Sequence, residues 1–310
     1  MELRLGYVAI ATSLDGITTS KTITLTTYKK IGKNRAIEKI KKIIDSNLSS
    51  LMEILKYNVK NEIYFYRMSS NIFPIIKELD FDVLNYSKEK LKAIGEYINY
   101  NKIRTDIHLD HYYVLNSTKE EVVSSTINIL NFYKNIFKFM GICGKIIMHV
   151  GGATNGKREG IKRFCNNFKL LELDTQKIII LENDDKIYNI KNVLTICTKL
   201  NIPMVLDYHH FMCNKTNEKI EDYIIKIFNT WSEKPKIHFS SPLDKKHYRS
   251  HHDYINVDDF LKFIDKIKFC NIDFDVMIEA KMKDEALFRL VRQIKYKTDY
   301  RFIGNTQFLV

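Results

Sequence analysis

Residues 177–210 read KIIILENDDKIYNIKNVLTICTKLNIPMVLDYHH. The first run, Lys177–Glu182, is unbroken apolar from Ile178 to Leu181 and ends on a carboxylate. The last run, Pro203–Tyr208, repeats that plan, with Met204–Leu206 apolar and Asp207 next. A strand that is apolar at consecutive positions has both faces covered, which is the habit of parallel sheets. Between the two runs, the spacing of apolar residues over Ile190–Leu200 predicts a helix. The segment is therefore a strand–helix–strand unit, with an acidic residue at the end of each strand.

Outward from this segment the unit recurs in both directions. Strands are predicted at Leu3–Ile10, Glu62–Met68, Arg104–Leu109, Lys145–Val150, Pro235–Phe239 and Phe274–Ala280. The intervening helices begin with a stripe of Ile37, Ile40, Ile44, Leu48, Leu51 and Leu55. Others are predicted near Lys88–Tyr97, Lys157–Leu170, Glu218–Trp231, Val257–Ile267 and Asp284–Ile294. A further one begins at Ser117, with Glu120 completing a capping box, and runs to about Met140. Eight such repeats with no obvious edge strand imply an α/β fold, a single (β/α)8 TIM barrel. The 310 residues suit that fold, which needs ~250, as one domain over 1–310, with no role assigned to 299–310. An open doubly wound sheet is the alternative. It usually carries a Gly-rich loop after its first strand, and none is present, so no nucleotide cofactor is expected.

Net charge is +12, from 49 Lys and Arg against 37 Asp and Glu, which suggests a polyanionic partner. The chain is also rich in Ile, Lys and Asn, and an AT-rich genome would inflate Lys without any function. The cysteines, Cys143, Cys165, Cys197, Cys213 and Cys270, form no C-x-x-C pair, which argues against a disulfide framework or a thiolate zinc site. Cys213, three residues after His210, is read as incidental. With no signal peptide and no apolar run near the ~18 residues of a membrane span, a cytoplasmic, non-membrane protein is expected.

The nine histidines are His108, His111, His149, His209, His210, His238, His247, His251 and His252. All fall at strand ends or in the loops after them, and none in a predicted helix. Glu182, Asp207 and Glu279 also end strands. In a barrel these positions converge on one mouth. Histidines and carboxylates gathered there suit borderline divalent metals, and more than four ligands imply more than one ion. Singly, each such residue is more often a hydrogen-bonded or ion-paired structural group.

At these residues the chain resembles the UV damage endonuclease family, and through it endonuclease IV and the sugar-isomerase-like barrels. The segments that carry the resemblance are LGYVAIA (5–11), YRMSSNIFP (66–74), HLDHYYVLNS (108–117), MHVGGATNGK (148–157), LENDD (181–185), DYHH (207–210), KIHFSSP (236–242), RSHHDY (249–254) and VMIEAK (276–281). The resemblance implies up to three divalent ions, Mn²⁺ foremost, with Mg²⁺ or Zn²⁺ as alternatives. His108, His149 and Glu182 would hold one. Glu182 would bridge to a second, held also by Asp207, His238 and Glu279. His210 and His251 would hold a third, the alignment favouring His251 over His252.

The implied reaction is hydrolysis of the phosphodiester immediately 5′ to a UV photoproduct in double-stranded DNA. The implied catalyst is a monomer, with Glu182, Glu279 and Lys236 catalytic. Lys236 is open to three readings: a salt bridge to Glu279, a phosphate contact, or a carboxylated metal ligand. Tyr7, His111 and Tyr112 are the candidate wedges at the lesion. Asp110-His111-Tyr112 stands where other members carry Gly-Gln-Tyr, so the role of His111 stays open. Arg67, Arg249 and Lys281 are candidate phosphate contacts. The rival readings are a metal-dependent sugar isomerase or epimerase on the same barrel, and a DNA-binding protein with a dead site.

Overall fold

The computed structural model describes residues 1–76, 79 and 81–310. Eight strands form the barrel: β1 (Glu2–Val8), β2 (Phe65–Met68), β3 (Arg104–His108), β4 (Lys145–His149), β5 (Ile179–Glu182), β6 (Met204–Asp207), β7 (Lys236–Phe239) and β8 (Phe274–Ile278). Each pairs in parallel with the next. The ring closes because β1 pairs with β8 from Leu3↔Phe274 to Tyr7↔Ile278, and with β2 at Tyr7↔Tyr66 and Val8↔Arg67. The C-terminal ends of all eight strands therefore open on one mouth. Helices lie between the strands and bury the apolar stripes read from the sequence, including Ile40, Ile44, Leu48, Leu51 and Leu55 of the helix Lys33–Lys60. Among the described residues no helix is long and apolar enough to cross a membrane.

The structure differs from the sequence reading in three places. The helix expected from Ser117 begins at Glu120, because the Ser117 hydroxyl accepts the amide of Lys119 at 3.1 Å and is used up in the preceding turn. The helix expected over Glu218–Trp231 is reduced to a 3₁₀ turn, Ile220–Asp222, and a short helix, Ile224–Phe228. Both ends of that stretch are tied elsewhere. The Glu218 carboxylate accepts the Thr216 amide at 2.6 Å, and the Trp231 indole N–H donates to the Met204 carbonyl at 2.7 Å. In its place a helix, Tyr208–Asn214, starts directly on β6, capped by Asp207 Oδ1 on the His210 amide at 2.7 Å. His209 and His210 are thus helical, contrary to the expectation that no helix holds a histidine.

Residues 299–310, which had no assigned role, contain β9 (Arg301–Phe302) and β10 (Gln307–Leu309). β10 lies antiparallel on β1, from Glu2↔Leu309 to Arg4↔Gln307. It covers the part of β1 that β2 does not reach.

The barrel axis is ionic. Toward the closed end, buried Asp275 accepts two bonds from Arg4, at 2.9 and 2.7 Å, and one from Arg104 at 2.7 Å. Above it, Asp106 pairs with Lys236, and both are buried. Buried charges persist only when paired in this way.

Packing outside the barrel depends on a close approach at Gly95, in the helix Val83–Tyr100. A Cβ there would stand 1.6 Å from the Met140 carbonyl oxygen at the end of the helix Glu120–Met140. Helix propensity alone favours Gly→Ala by about 1 kcal/mol, whereas overpacking costs roughly 1–3 kcal/mol or more. The clash is with backbone, so the second effect should win. Gly95→Ala should lower the melting temperature in thermal denaturation, and a rise would refute this packing.

Candidate metal centre

The strand ends place the ligand candidates. His108, His149, Glu182 and Asp207 are the last residues of β3 to β6, and Glu279 follows β8 directly. Register sets His149 beside Glu182 and Asp207 beside His238. Two compact groups result, His108–His149–Glu182 and Glu182–Asp207–His238–Glu279, with ligand atoms in each within 4.8 Å of one another. Glu182 belongs to both. Its Oε2 faces His108 Nε2 at 2.6 Å and His149 Nε2 at 3.7 Å, while its Oε1 faces His238 Nδ1 at 2.7 Å and His210 Nδ1 at 3.7 Å.

The electrostatics are those of a cluster short of positive charge. Burial pushes the Asp207 carboxyl up to about 8, with Glu182 and Glu279 adding to the effect against His210. Burial works against a charged His210, but Asp207, Glu182 and Glu279 outweigh it and hold its pKa at about 9. Burial pulls His149 down to about 4. Asp207 Oδ2 is buried with no hydrogen-bond partner. Its nearest cationic group is His210 Nδ1 at 3.7 Å, and a carboxylate oxygen without a hydrogen bond amid Glu182, His238 and Glu279 is costly unless a cation meets it. The donor set, imidazoles and carboxylates without thiolate, fits divalent ions of the Zn or Mn kind.

His210 and His251 come within 6.4 Å, ring centre to ring centre, and His251 Nδ1 lies 3.9 Å from Glu279 Oε2. Among the described residues no third His, Cys or carboxylate joins them in a compact group. His252 is turned into its own loop, its Nδ1 accepting the Tyr254 amide at 2.9 Å.

Three sequence readings are corrected. Tyr7 is no wedge at the mouth: it is fully buried in β1, and its hydroxyl donates to Asn58 Oδ1 at 2.7 Å. Arg67 is not an open phosphate contact. It is 8% exposed and bonded to Glu279 Oε1 at 2.6 Å. Lys236 does not bridge to Glu279; its partner is Asp106, below the ligand layer. Burial holds the Lys236 ammonium down at about 8, against the pull of Asp106.

The other candidates stay at the surface. His111 and Tyr112 are exposed on the loop after β3, with the Tyr112 hydroxyl on Asp110 at 2.8 Å and its ring 4.5 Å from that of Tyr113. Arg249 and Lys281 are exposed and pair with Asp185 at 3.2 Å and Asp253 at 3.7 Å.

Sequence reasoning missed several residues that build the site. Asn183 is buried and ties β5 to β6, its side chain donating to the Asp207 carbonyl at 2.9 Å and accepting the Asp207 amide at 3.0 Å. Asp106 offers a signal in hindsight, a carboxylate two residues before His108 and so on the same face of β3. Cys213 lies 3.8 Å from His209 Nε2, a contact that the i, i+4 spacing of a helix allows.

A closed parallel barrel with this cluster at its C-terminal mouth defines a TIM-barrel enzyme of the kind whose site could hold metal ions. The family model for UV-endonuclease UvdE matches residues 3–307. The UV DNA damage endonuclease of Bacillus cereus strain G9842 is 37% identical over 301 residues, 95% of each chain. The crystal structure of SacUVDE superposes with a TM-score of 0.85 at 34% identity, over 95% of this chain and 98% of the other. Endonuclease IV from Thermus thermophilus shares the fold alone, with a TM-score of 0.60 at 10% identity, over 95% of this chain and 100% of the other. The chain belongs to the UV-endonuclease UvdE family. It is an endonuclease, acting on the phosphodiester bonds of DNA.

Asp207→Asn separates the ligand role from a structural one, because it keeps the oxygen that caps the helix Tyr208–Asn214. Without metal the variant should still fold and melt cooperatively, since Asp207 Oδ2 makes no hydrogen bond and its contact with His210 Nδ1 is 3.7 Å long. Mn²⁺ at a hundredfold excess over its dissociation constant should stabilise wild type by about 2.7 kcal/mol, and the variant clearly less. Thermal melts with and without Mn²⁺ measure this, and equal shifts would exclude Asp207 as a ligand.

Proposed function

We propose that this chain hydrolyses double-stranded DNA immediately 5′ to UV photoproducts, leaving a 3′-hydroxyl and a 5′-phosphate. It works in the cytoplasm as a monomer, residues 1–310 forming one catalytic unit without a nucleotide cofactor. Up to three divalent ions serve it, Mn²⁺ foremost, with Mg²⁺ or Zn²⁺ as alternatives. The observation that carries the reading is the division of Glu182, whose oxygens face separate ligand groups. The first group is His108, His149 and Glu182; the second is Glu182, Asp207, His238 and Glu279; His210 and His251 serve the third ion. When bound, such ions supply Lewis acidity and positive charge opposite the phosphate.

The protein's own groups orient and enclose. Glu182, at the end of β5, and Glu279, after β8, fix the ligand layer. Lys236 acts from beneath, by holding Asp106. Arg249 and Lys281 sit in weak surface pairs that a phosphate can exchange at little cost. His111 and Tyr112 stand on the loop that leaves the strand of His108, placed to enter the duplex where a damaged pair is extruded. The net charge of +12 supports a polyanionic substrate.

Supercoiled plasmid checks the activity. UV-irradiated plasmid should be nicked with Mn²⁺, and EDTA should abolish the nicking. Glu182→Ala should be inactive yet folded by circular dichroism. Equal nicking of irradiated and untreated plasmid would overturn the damage specificity.

Tyr112→Ala tests the wedge. Stacking on a base is worth ~1–3 kcal/mol, so affinity for lesion-bearing duplex should fall roughly tenfold or more. Undamaged duplex should bind as before, because phosphate contacts dominate there. Fluorescence anisotropy in metal-free buffer reads both. Equal losses would reduce Tyr112 to a support of its loop.

A further inference from the structure

Three of the cluster's histidines are held in the same way. His108 Nδ1 faces the Leu109 carbonyl at 2.7 Å, His149 Nδ1 the Glu182 carbonyl at 3.4 Å, and His210 Nδ1 the Asn183 carbonyl at 3.0 Å. A carbonyl oxygen only accepts, so each Nδ1 carries a proton, and a cation can be met at Nε2 without breaking that bond.

His238 is held in the opposite way. Its Nε2 lies 2.7 Å from Nη2 of Arg67, and a guanidinium only donates. The proton of the neutral ring is therefore on Nδ1, where Glu182 Oε1 accepts it at 2.7 Å. Nδ1 is also the nitrogen that faces Glu279, 3.4 Å from its Oε1. As long as Arg67 holds Nε2, the nitrogen that looks at the carboxylates is covered by its own proton.

Arg67 is fixed from three sides. Nη1 donates to Glu279 Oε1 at 2.6 Å, Nη2 holds His238, and Nε stands 3.4 Å from Asp106 Oδ1 without a hydrogen bond. The other oxygen of Asp106 is taken by Lys236. A duplex phosphate cannot reach a guanidinium enclosed in this way unless it first leaves Glu279.

We propose that Arg67 is the resident cation of the Asp207 group, standing against Glu279 and His238 where a divalent ion draws on the same two residues. Loading then requires the guanidinium to give up at least its His238 contact. This inference rests on the metal reading above. Arg67 is a positioning residue: it keeps the buried carboxylates apart before loading and weakens the grip on the ion afterwards.

The test compares wild type, Arg67→Met and Arg67→Lys with two measurements that need no catalysis. One is the melting temperature in EDTA. The other is a Mn²⁺ titration followed by the electron paramagnetic resonance of the free ion. Arg67→Met should lower the metal-free melting temperature and yet bind Mn²⁺ roughly tenfold or more tightly, since a charge-assisted contact no longer competes. Arg67→Lys, which keeps the charge without the fork, should fall between the two on both measurements. If Arg67→Met does not fold, the opposite signs must appear in Arg67→Lys. Loss of both stability and affinity would make Arg67 merely structural and overturn the proposal. No change in either would return Arg67 to the phosphate contacts and overturn it equally. A wild-type chain that takes up no Mn²⁺ would remove the metal reading itself and this inference with it. Wild-type binding with no tightening in the variants would remove this inference alone.

Discussion

Three carboxylates, Glu182, Asp207 and Glu279, meet at the barrel mouth with ligand atoms inside 4.8 Å. Like charges at that distance in a dry site cannot all stand ionised without cations. The surroundings answer this one demand. Arg67 is placed against Glu279, His210 retains a proton beside Asp207, and Asp207 itself is pushed toward its neutral form. One buried oxygen, Asp207 Oδ2, still has no hydrogen bond, its nearest cationic group being His210 Nδ1 at 3.7 Å. A site compensated only in part by its own residues could hold a cation from outside.

The same demand reaches down the barrel axis. Asp106 is needed to hold Lys236 and lies against Arg67, and Asp275 gathers Arg4 and Arg104 nearer the closed end. An apolar interior would leave Arg67 without a counterweight below the ligand layer. The helices and the C-terminal strand pair do the ordinary work of burial. Phe308 of β10, for example, is fully buried, stacked on Tyr300 at 5.7 Å. Stability and chemistry are thereby divided between the outer shell and the axis, and they meet at Arg67 and Asp106.

The sequence by itself determined the barrel and the identity of the ligand candidates. Continuous apolar runs marked parallel strands, and a parallel barrel brings the ends of its strands to one mouth. A histidine or carboxylate read at a strand end, such as His149, Glu182 or Asp207, therefore had its place set before any packing was known. Only the tertiary structure decided partners and depth. The alternation of a strand says that Tyr7, Arg67 and Lys236 lie on a given face, but not how far below the mouth, nor which side chain stands across from them. Tyr7 went to Asn58, Arg67 to Glu279 and His238, and Lys236 to Asp106, 130 residues away in the chain. Pairings over such separations follow from the stagger of strands around a closed ring and from the cost of leaving a buried charge alone. Neither is written in the local pattern of residues.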